Sequence, residues 1–425
     1  MKNNMKIAVI GGGASGMTAA ITAAKQGAEV VLFERNDRVG KKLLVTGNGK
    51  CNLSNMDFSV DQYYCSDKDK LQKIFALFSP WDTISFFESM GLMVKEKNKG
   101  LYPYSEQASA VLDVLRMELA HSGVQIISGT EIKNVVRQEK KTIFEINDRD
   151  GKSYVFDRLI LASGSGAGQK FSGQSGYHIA QKLGHRIKPL VPGLTSLKSD
   201  EKFCKALGGV RCNAELTLMI DQKVEAQESG EVQFTEYGVS GIPVFQFSRQ
   251  AAYALKDQKE VNVVVDFFKE QSEKEFDFFS RLRYETQKEK TLEEFLIGML
   301  NKKINMVLIK QSGLKPGMTA EEAGFENALR LMQMSRNFRI HICDVNTMEN
   351  AQVCAGGVDI GEVSEKMESV LVPGLYFAGE IVDVDGKCGG YNLQWAWSSG
   401  YTAGINASGG MRKEDGNPAI ERDEA

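Results

Sequence analysis

The sequence predicts an α/β fold organised around a Rossmann-like parallel sheet, and three observations predict it. An apolar run, Lys6–Ile10 (K-I-A-V-I), passes straight into Gly11-Gly12-Gly13-Ala14-Ser15-Gly16, a G-x-G-x-x-G. An alanine-rich stretch of helical character follows from Ala14 to Gln26 and stops at Gly27, which suits a left-handed helix end. A second apolar run, Glu29–Phe33, then closes on Glu34, eighteen residues after Gly16. Short apolar runs of this kind mark strands buried on both faces.

Each part of this unit has a physical task. Gly11 lets the chain turn sharply out of the strand. Gly13 allows a pyrophosphate to approach bare backbone, and Gly16 lets helix and strand pack closely. The helix start offers N–H groups and the positive end of a dipole to phosphate. Glu34 is placed to accept hydrogen bonds from both ribose hydroxyls, and its charge opposes a 2′-phosphate. FAD or NAD is therefore favoured over NADP at this site.

Composition sets the bounds. A chain of 425 residues, 42% hydrophobic and 25% charged, supports two or three soluble domains. A net charge of −3 gives no basic surplus for nucleic acid or anionic membrane. Apolar runs fall well short of a membrane span, and the glycines interrupt the only segment with signal-peptide character, so a cytoplasmic protein is expected. The seven cysteines are scattered without C-x-x-C, and the four histidines show no ligand spacing with them. Neither a disulfide framework nor a metal site is signalled.

After Glu34 come Arg35 to Lys42 and then Leu43–Asn55 (L-L-V-T-G-N-G-K-C-N-L-S-N), polar and built from small side chains. Its backbone donors and amides should face a ligand or solvent. Asp69–Lys97 reads as helical, and Ser109–His121 as an amphipathic helix. Strands are expected at Val124–Ser128, Glu131–Arg137, Thr142–Asn147 and Ser153–Phe156, then a buried strand from Arg158 ending at Ala162-Ser163-Gly164. The run Gly164–Gly168 (G-S-G-A-G) lacks a third glycine at the right spacing and an acid-terminated second strand, so it does not read as a second dinucleotide motif.

Composition shifts near Lys188–Gly193. Beyond it Gly209–Ile220, Glu225–Thr235 and Val261–Phe267 read as strands, Phe268–Met334 as helical, and Arg339–Val345 and Asn350–Cys354 again as strands. The tail after Gly410 reads as disordered. Before it, Pro373–Glu380 is a short apolar strand ending in glycine and acid. Gly389-Gly390 then precede a helical stretch from Asn392 to Ala407, whose first N–H groups could face a planar electron-accepting ring.

Together, G-G-G-A-S-G-M-T-A-A with Glu34, G-N-G-K-C-N-L-S-N, G-E-V-Q-F-T-E-Y-G-V-S-G-I-P, A-G-G-V-D and G-L-Y-F-A-G-E-I-V-D-V-D-G-K-C-G-G-Y-N-L-Q-W-A-W-S-S-G resemble the BaiN-like (YhiN-like) flavoproteins over nearly the whole chain. These are relatives of the glutathione-reductase type of FAD fold. The resemblance implies an FAD domain split in sequence (residues 1–190 and 350–410). An inserted strand-rich barrel (191–268, with a return strand at 337–349) and a helical subdomain (269–336) lie between its halves, and a tail (411–425) follows. It places Gly11, Gly12, Gly13, Ala14, Ser15, Gly16, Glu34, Arg35 and Lys42 near the adenosine diphosphate half, and Ile132 where backbone meets adenine. Asn48, Cys51, Asn52, Leu53, Gly379, Glu380, Asn392, Leu393 and Gln394 come near the ribityl chain or ring. Two departures stand out: Glu380 replaces the usual aspartate, and Ala162-Ser163-Gly164 replaces alanine-threonine-glycine.

The implied cofactor is FAD, with NADH or NADPH as a transient electron donor and a small molecule as substrate, reaching the flavin at the seam with the inserted domain. The reaction implied first is reduction of an activated C=C bond of the 3-oxo bile-acid or other enone type. Oxidation of a small amine or amino ketone, and flavin redox sensing without turnover, stand beside it. Tyr391 is a candidate proton donor whose bland reading is packing beside a helix start. Cys51 and Cys388 read as apolar fillers rather than redox thiols. Substrate identity and oligomeric state are not encoded in these motifs.

Overall fold

The computed structural model describes residues 4–138, 143–168 and 175–410. The expected disordered tail lies outside them, as does Thr142 at the head of the expected third strand. The chain forms two units. Of the described residues, the first comprises 4–138, 143–166, 175–190 and 356–410, and the second 167–168 and 191–355.

Five parallel strands form the sheet of the first unit, in the order Leu375–Phe377, Arg158–Leu161, Lys6–Ile10, Glu29–Phe33, Gln125–Ile127. Ile7, Ala8, Val9 and Leu32 are fully buried, as strands covered on both faces require. The helix Ala14–Lys25 follows the first strand, and the helix Tyr391–Ala407 packs directly on it. A Cβ on Gly400 or Gly404 would stand 2.4 Å from the Ser15 carbonyl oxygen or 2.5 Å from that of Ala19. The two helices thus touch backbone to backbone, which ties the C-terminal segment to the first glycine-rich turn. A three-stranded antiparallel sheet, Ile132–Gln138, Ile143–Asp148 and Ser153–Phe156, completes this half.

The helical reading of Asp69–Lys97 is corrected in two places. Ser79 ends one helix (Lys68–Leu77) and opens another (Pro80–Ser89) through a capping box with Asp82 and a proline in the first turn. Val94–Lys97 is a strand, paired with Gly100–Pro103 across a turn whose Asn98 and Lys99 are left-handed.

In the second unit seven strands run in the order Phe338–Ile342, Val261–Asp266, Arg211–Ile220, Lys223–Thr235, Gly238–Ser240, Leu197–Lys198, Asp344–Val345. The first and last of these are separated only by Cys343. One continuous stretch therefore pairs with Val261–Asp266 by its first half and with Leu197–Lys198 by its second, and the sheet closes on itself. Ile242–Lys256, a helix the sequence reading did not assign, packs on this sheet through Val244, Phe247 and Ala251, all fully buried. The helical stretch expected at Phe268–Met334 is five helices. Capping boxes at Ser272/Glu275, Thr291/Glu294 and Thr319/Glu322 open three of them, Asn301 caps the helix Lys302–Gln311, and Gly324 precedes Phe325–Met334. Among the described residues no helix is long and apolar enough to cross a membrane.

Candidate dinucleotide-binding site

The glycine-rich turn is built around close approaches on one side and open space on the other. Gly11 has φ +110°, and a Cβ there would lie 2.4 Å from the Ala162 carbonyl oxygen. A Cβ on Gly16 would lie 1.8 Å from the Gly11 oxygen. Gly13 differs: nothing lies within 4 Å of the position its Cβ would take. Gly13 is also the N-cap of the helix Ala14–Lys25, and no side chain caps that helix. Its first-turn donors are left for a ligand.

Glu34 is buried and bound. Its Oε2 accepts the Gly12 N–H at 2.8 Å, and its Oε1 accepts the Asn36 N–H at 2.7 Å and Nδ2 at 2.6 Å. A carboxylate offers about four acceptor positions. With three in use, one remains for a ribose hydroxyl, not the two the sequence suggested. The carboxylate thus also clamps the glycine turn to the second strand. Asn36, which sequence reasoning passed over, is the second half of that clamp. Ile132 is buried at the start of its strand, and the neighbouring Thr130 N–H donates to the Glu34 carbonyl. Arg35 is half-buried beside Glu34 in the chain. Lys42 Nζ meets Glu380 Oε2 at 2.7 Å, which joins the two sequence-distant halves of the expected site.

The loop after Lys42 is strained. Gly47, Asn48, Gly49 and Cys51 all have positive φ, and Asn48 is exposed. Cys51 is fully buried, and burial pushes its thiol up to about 12 against a lowering hydrogen bond from Thr46. Asn52 Oδ1 is a buried acceptor with no partner, and a Cβ on Gly390 would stand 2.8 Å from it. Ser163 Oγ is likewise buried and unpartnered. Ala162 continues the first strand pairing through its N–H to the Ile10 carbonyl, and Gly164 turns the chain with φ +63°.

Other expected contacts are committed inside the protein. Leu53 is buried, donates its N–H to Leu101 and accepts Trp397 Nε1 at its carbonyl. Gln394 is fully buried among Ser54, Thr83, Ser398 and the Phe78 carbonyl. Asn392 folds back, its Oδ1 accepting from Gly386 N–H and its Nδ2 donating to Gly386 C=O. The Tyr391 hydroxyl donates to the Asp57 carbonyl at 3.0 Å, so its proton has a structural partner. The polar side-chain groups of Gln394, Asn392 and Tyr391 and the backbone of Leu53 thus have partners within the protein. Leu393 is half-buried at the helix start, where the N-cap is Gly390 and no side chain caps the first turn. Gly379, with φ +75°, is fixed by Ser399 Oγ at its N–H and Trp395 Nε1 at its carbonyl. The residues Trp395, Trp397 and Ser399 were legible only as small and aromatic helix positions.

An open-sided Gly13, two helix starts without side-chain caps, one spare acceptor on Glu34 and two orphaned polar atoms fit a dinucleotide laid across this unit. A different constellation does not make a site. Ser369 Oγ lies 2.8 Å from His185 Nε2, and His185 Nδ1 lies 3.2 Å from Glu362. It resembles a nucleophile triad, but Ser369 and His185 are buried and the serine oxygen accepts the Leu371 and Val372 N–H groups. It braces a turn.

A family model described as the HI0933-like protein Rossmann domain matches residues 5–406. A 3-dehydro-bile acid delta(4,6)-reductase from Clostridium scindens is 40% identical over 95% of this chain and 99% of its own length. A ribosomal RNA dihydrouridine synthase from Haemophilus influenzae is 28% identical over 94% and 98%. Among solved structures, 3-ketosteroid delta1-dehydrogenase from Sterolibacterium denitrificans shares the fold with a TM-score of 0.51 and 12% identity, over 96% of this chain and 100% of that one.

Proposed function

The chain belongs to the HI0933-like Rossmann-domain family, and from that premise we propose that it is an FAD-dependent oxidoreductase that reduces a C=C bond conjugated to a ketone, with NADH or NADPH as electron donor. Bound FAD would supply the hydride equivalent that the β-carbon of such a substrate accepts. The chain's own part is to hold and polarise. The first-turn N–H groups after Gly13 would carry the pyrophosphate, Glu34 one ribose hydroxyl, Asn52 Oδ1 would accept from a donor of the cofactor, and Ser163 Oγ would take a donor or an acceptor. The helix start at Tyr391 would present its positive end to charge that develops on a reduced ring.

The observation that carries the cofactor half is the open face at Gly13 above a helix start with no side-chain cap. The substrate half is supported by the reaction that the relatives' names share. One reduces a 3-dehydro bile acid, and the other yields dihydrouridine, a uridine with its ring double bond saturated. Both act on C=C conjugated to a carbonyl. The higher identity to the bile-acid enzyme and a net charge of −3 favour the small ketone over RNA. The run Gly164–Gly168 lacks a third glycine at the right spacing and an acid-terminated second strand. A nicotinamide would therefore bind weakly and leave before substrate enters, in a ping-pong cycle with a high Michaelis constant for NAD(P)H.

The test is anaerobic turnover of the yellow protein with each nicotinamide and, in turn, a 4-ene-3-ketosteroid, a uridine-containing rRNA fragment and a small primary amine. The expected product is the steroid with two added hydrogens. Reduction of the rRNA alone reassigns the substrate. Bleaching by the amine and by neither nicotinamide makes the protein an oxidase, and bleaching by no donor makes it a sensor.

A further inference from the structure

Within the first unit, the strand pair Val94–Lys97 and Gly100–Pro103 carries a charged face beside the candidate site. Its register sets Lys95 opposite Tyr102 and Lys97 opposite Gly100, and the Tyr104 N–H donates to the Met93 carbonyl. Alternation therefore puts Met93, Lys95 and Lys97 on one face with Tyr104, Tyr102 and Gly100, and turns Glu96 to the other with buried Leu101. Met93 and Tyr104 are exposed, and Lys95 Nζ stands 5.0 Å from the centre of the Tyr104 ring. The Glu106 carboxylate meets three ammonium groups here, Lys50 at 2.9 Å, Lys95 at 3.0 Å and Lys97 at 3.4 Å. Lys50 first and Lys95 next hold its carboxyl down at about 2, so it stays ionised and balances one positive charge of the three. Lys99, at the turn, is paired with Asp57 instead. The cluster keeps a surplus of two positive charges.

This face adjoins the loop that carries Asn52. The Leu53 and Met56 N–H groups donate to the Leu101 and Lys99 carbonyls, each at 2.7 Å. A Cβ on Gly100 would stand 3.2 Å from both polar atoms of the Asn52 amide, and one on Gly390 would stand 2.8 Å from its Oδ1. The Asn52 amide thus lies between the charged face and the start of the helix Tyr391–Ala407. Lys50 stands two residues before Asn52 and brings the same loop into the cluster.

We propose that Lys50, Lys95 and Lys97 receive the 2′-phosphate of NADPH, and that Tyr104 offers its ring to the attached adenine. The proposal rests on the reductase reading above and names its electron donor. The run Gly164–Gly168 supplies no second glycine cradle, so side chains must meet the donor's phosphates. A phosphate monoester gathers about two negative charges and three acceptor oxygens on one phosphorus, which matches a convergent cluster with two charges to spare. The diphosphate common to NADH and NADPH spreads its charge over two groups. A nucleic acid strand calls for a row of cations along successive phosphates. Here a single cluster is flanked by Glu96 and Asp57, which suits one compact anion.

The experiment uses flavin-loaded full-length enzyme. Anaerobic stopped-flow absorbance gives the concentrations of NADPH and of NADH at which the bleaching rate is half-maximal. Wild type is expected to favour NADPH about tenfold, each exposed lysine supplying up to about fivefold, and the preference should shrink as salt is raised. Lys95→Gln with Lys97→Gln should erase the preference by weakening NADPH alone. Glu106→Gln, which removes the competing carboxylate, should move NADPH the other way and tighten it about fivefold. Damage to the hairpin would weaken both donors in both variants, so the opposite signs separate charge from structure. Calorimetry with adenosine 2′,5′-bisphosphate should repeat the same order of affinities without turnover. Equal use of the two donors by wild type, or a lysine variant that keeps its NADPH preference, overturns the assignment alone. So does a lysine variant that loses only reduction of the rRNA fragment, which gives the face to nucleic acid. An enzyme bleached by neither nicotinamide overturns the assignment together with the reductase reading.

Discussion

The glycine cradle and the lysine cluster of the first unit are made from different materials. The cradle is backbone: bare N–H groups, close carbonyl contacts and one carboxylate clamp, all drawn from 30 or so consecutive residues and a returning helix. The cluster is side chain: three ammonium groups around one carboxylate, which become neighbours only when the hairpin Val94–Pro103 pairs beside the Lys50 loop. A backbone site needs glycine at fixed spacing and so announces itself in sequence. A side-chain site assembled by long-range pairing has no spacing to announce.

The largest effects should come from the cradle's two kinds of glycine. Gly16→Val drives a side chain into the Gly11 carbonyl, so the protein should fail to fold, read as loss of soluble protein or of a cooperative melt. Gly13→Val points into open space and needs no unusual φ, so its apo form should melt within about 0.5 kcal/mol of wild type while purifying colourless. A yellow Gly13→Val protein would break the distinction. In the second unit, Gly238→Ala is expected to cost about 1–3 kcal/mol, since a Cβ there would stand 2.1 Å from the Leu197 carbonyl oxygen.

Glu34→Ala should show a mixed effect. The sequence assigns the carboxylate to ribose alone, but in the structure it also holds the N–H groups of Gly12 and Asn36. Apo stability should fall by about 1–3 kcal/mol alongside faster FAD release. Chemical denaturation of the apo protein checks this, and a purely ligand-linked loss would contradict the clamp.

The smallest effect belongs to Cys51. Burial pushes its thiol up to about 12, so it stays almost wholly protonated across the working range, and its alkylation should be slow at about pH 7 and still climb at about pH 10 without reaching a plateau. Replacing both Cys51 and Cys388 with serine should leave substantial flavin turnover. Bound, reducible flavin that substrate no longer reoxidises would instead indicate thiol chemistry.

Legibility followed the same division. The first two strands, the helix between them, Glu34 and the helix after Gly390 were readable because period, glycine spacing and acid coincide in one stretch. The hairpin at Val94–Pro103 was not, since Lys95, Glu96 and Lys97 carry no apolar alternation and their order comes from a partner strand. Ile242–Lys256 was hidden behind Gly241 and Pro243, residues that read as a turn yet serve as N-cap and first-turn proline. Within the site, motif matching placed Gln394, Asn392 and Tyr391 near the ring, but it could not show that their polar atoms are spent on Ser54, Gly386 and Asp57. Lys50, Lys95, Lys97 and Glu106 gave no signal beyond ordinary surface charge, since their convergence depends on that hairpin.

The central claim is that electrons leave this protein onto a carbonyl-conjugated double bond. The most direct measurement is anaerobic stopped-flow absorbance of enzyme already reduced, mixed with a 4-ene-3-ketosteroid. The account predicts return of the oxidised flavin spectrum in proportion to added steroid, saturating with its concentration, with one saturated ketone formed per flavin. Flavin that stays bleached with the steroid and recovers only when oxygen is admitted would contradict it.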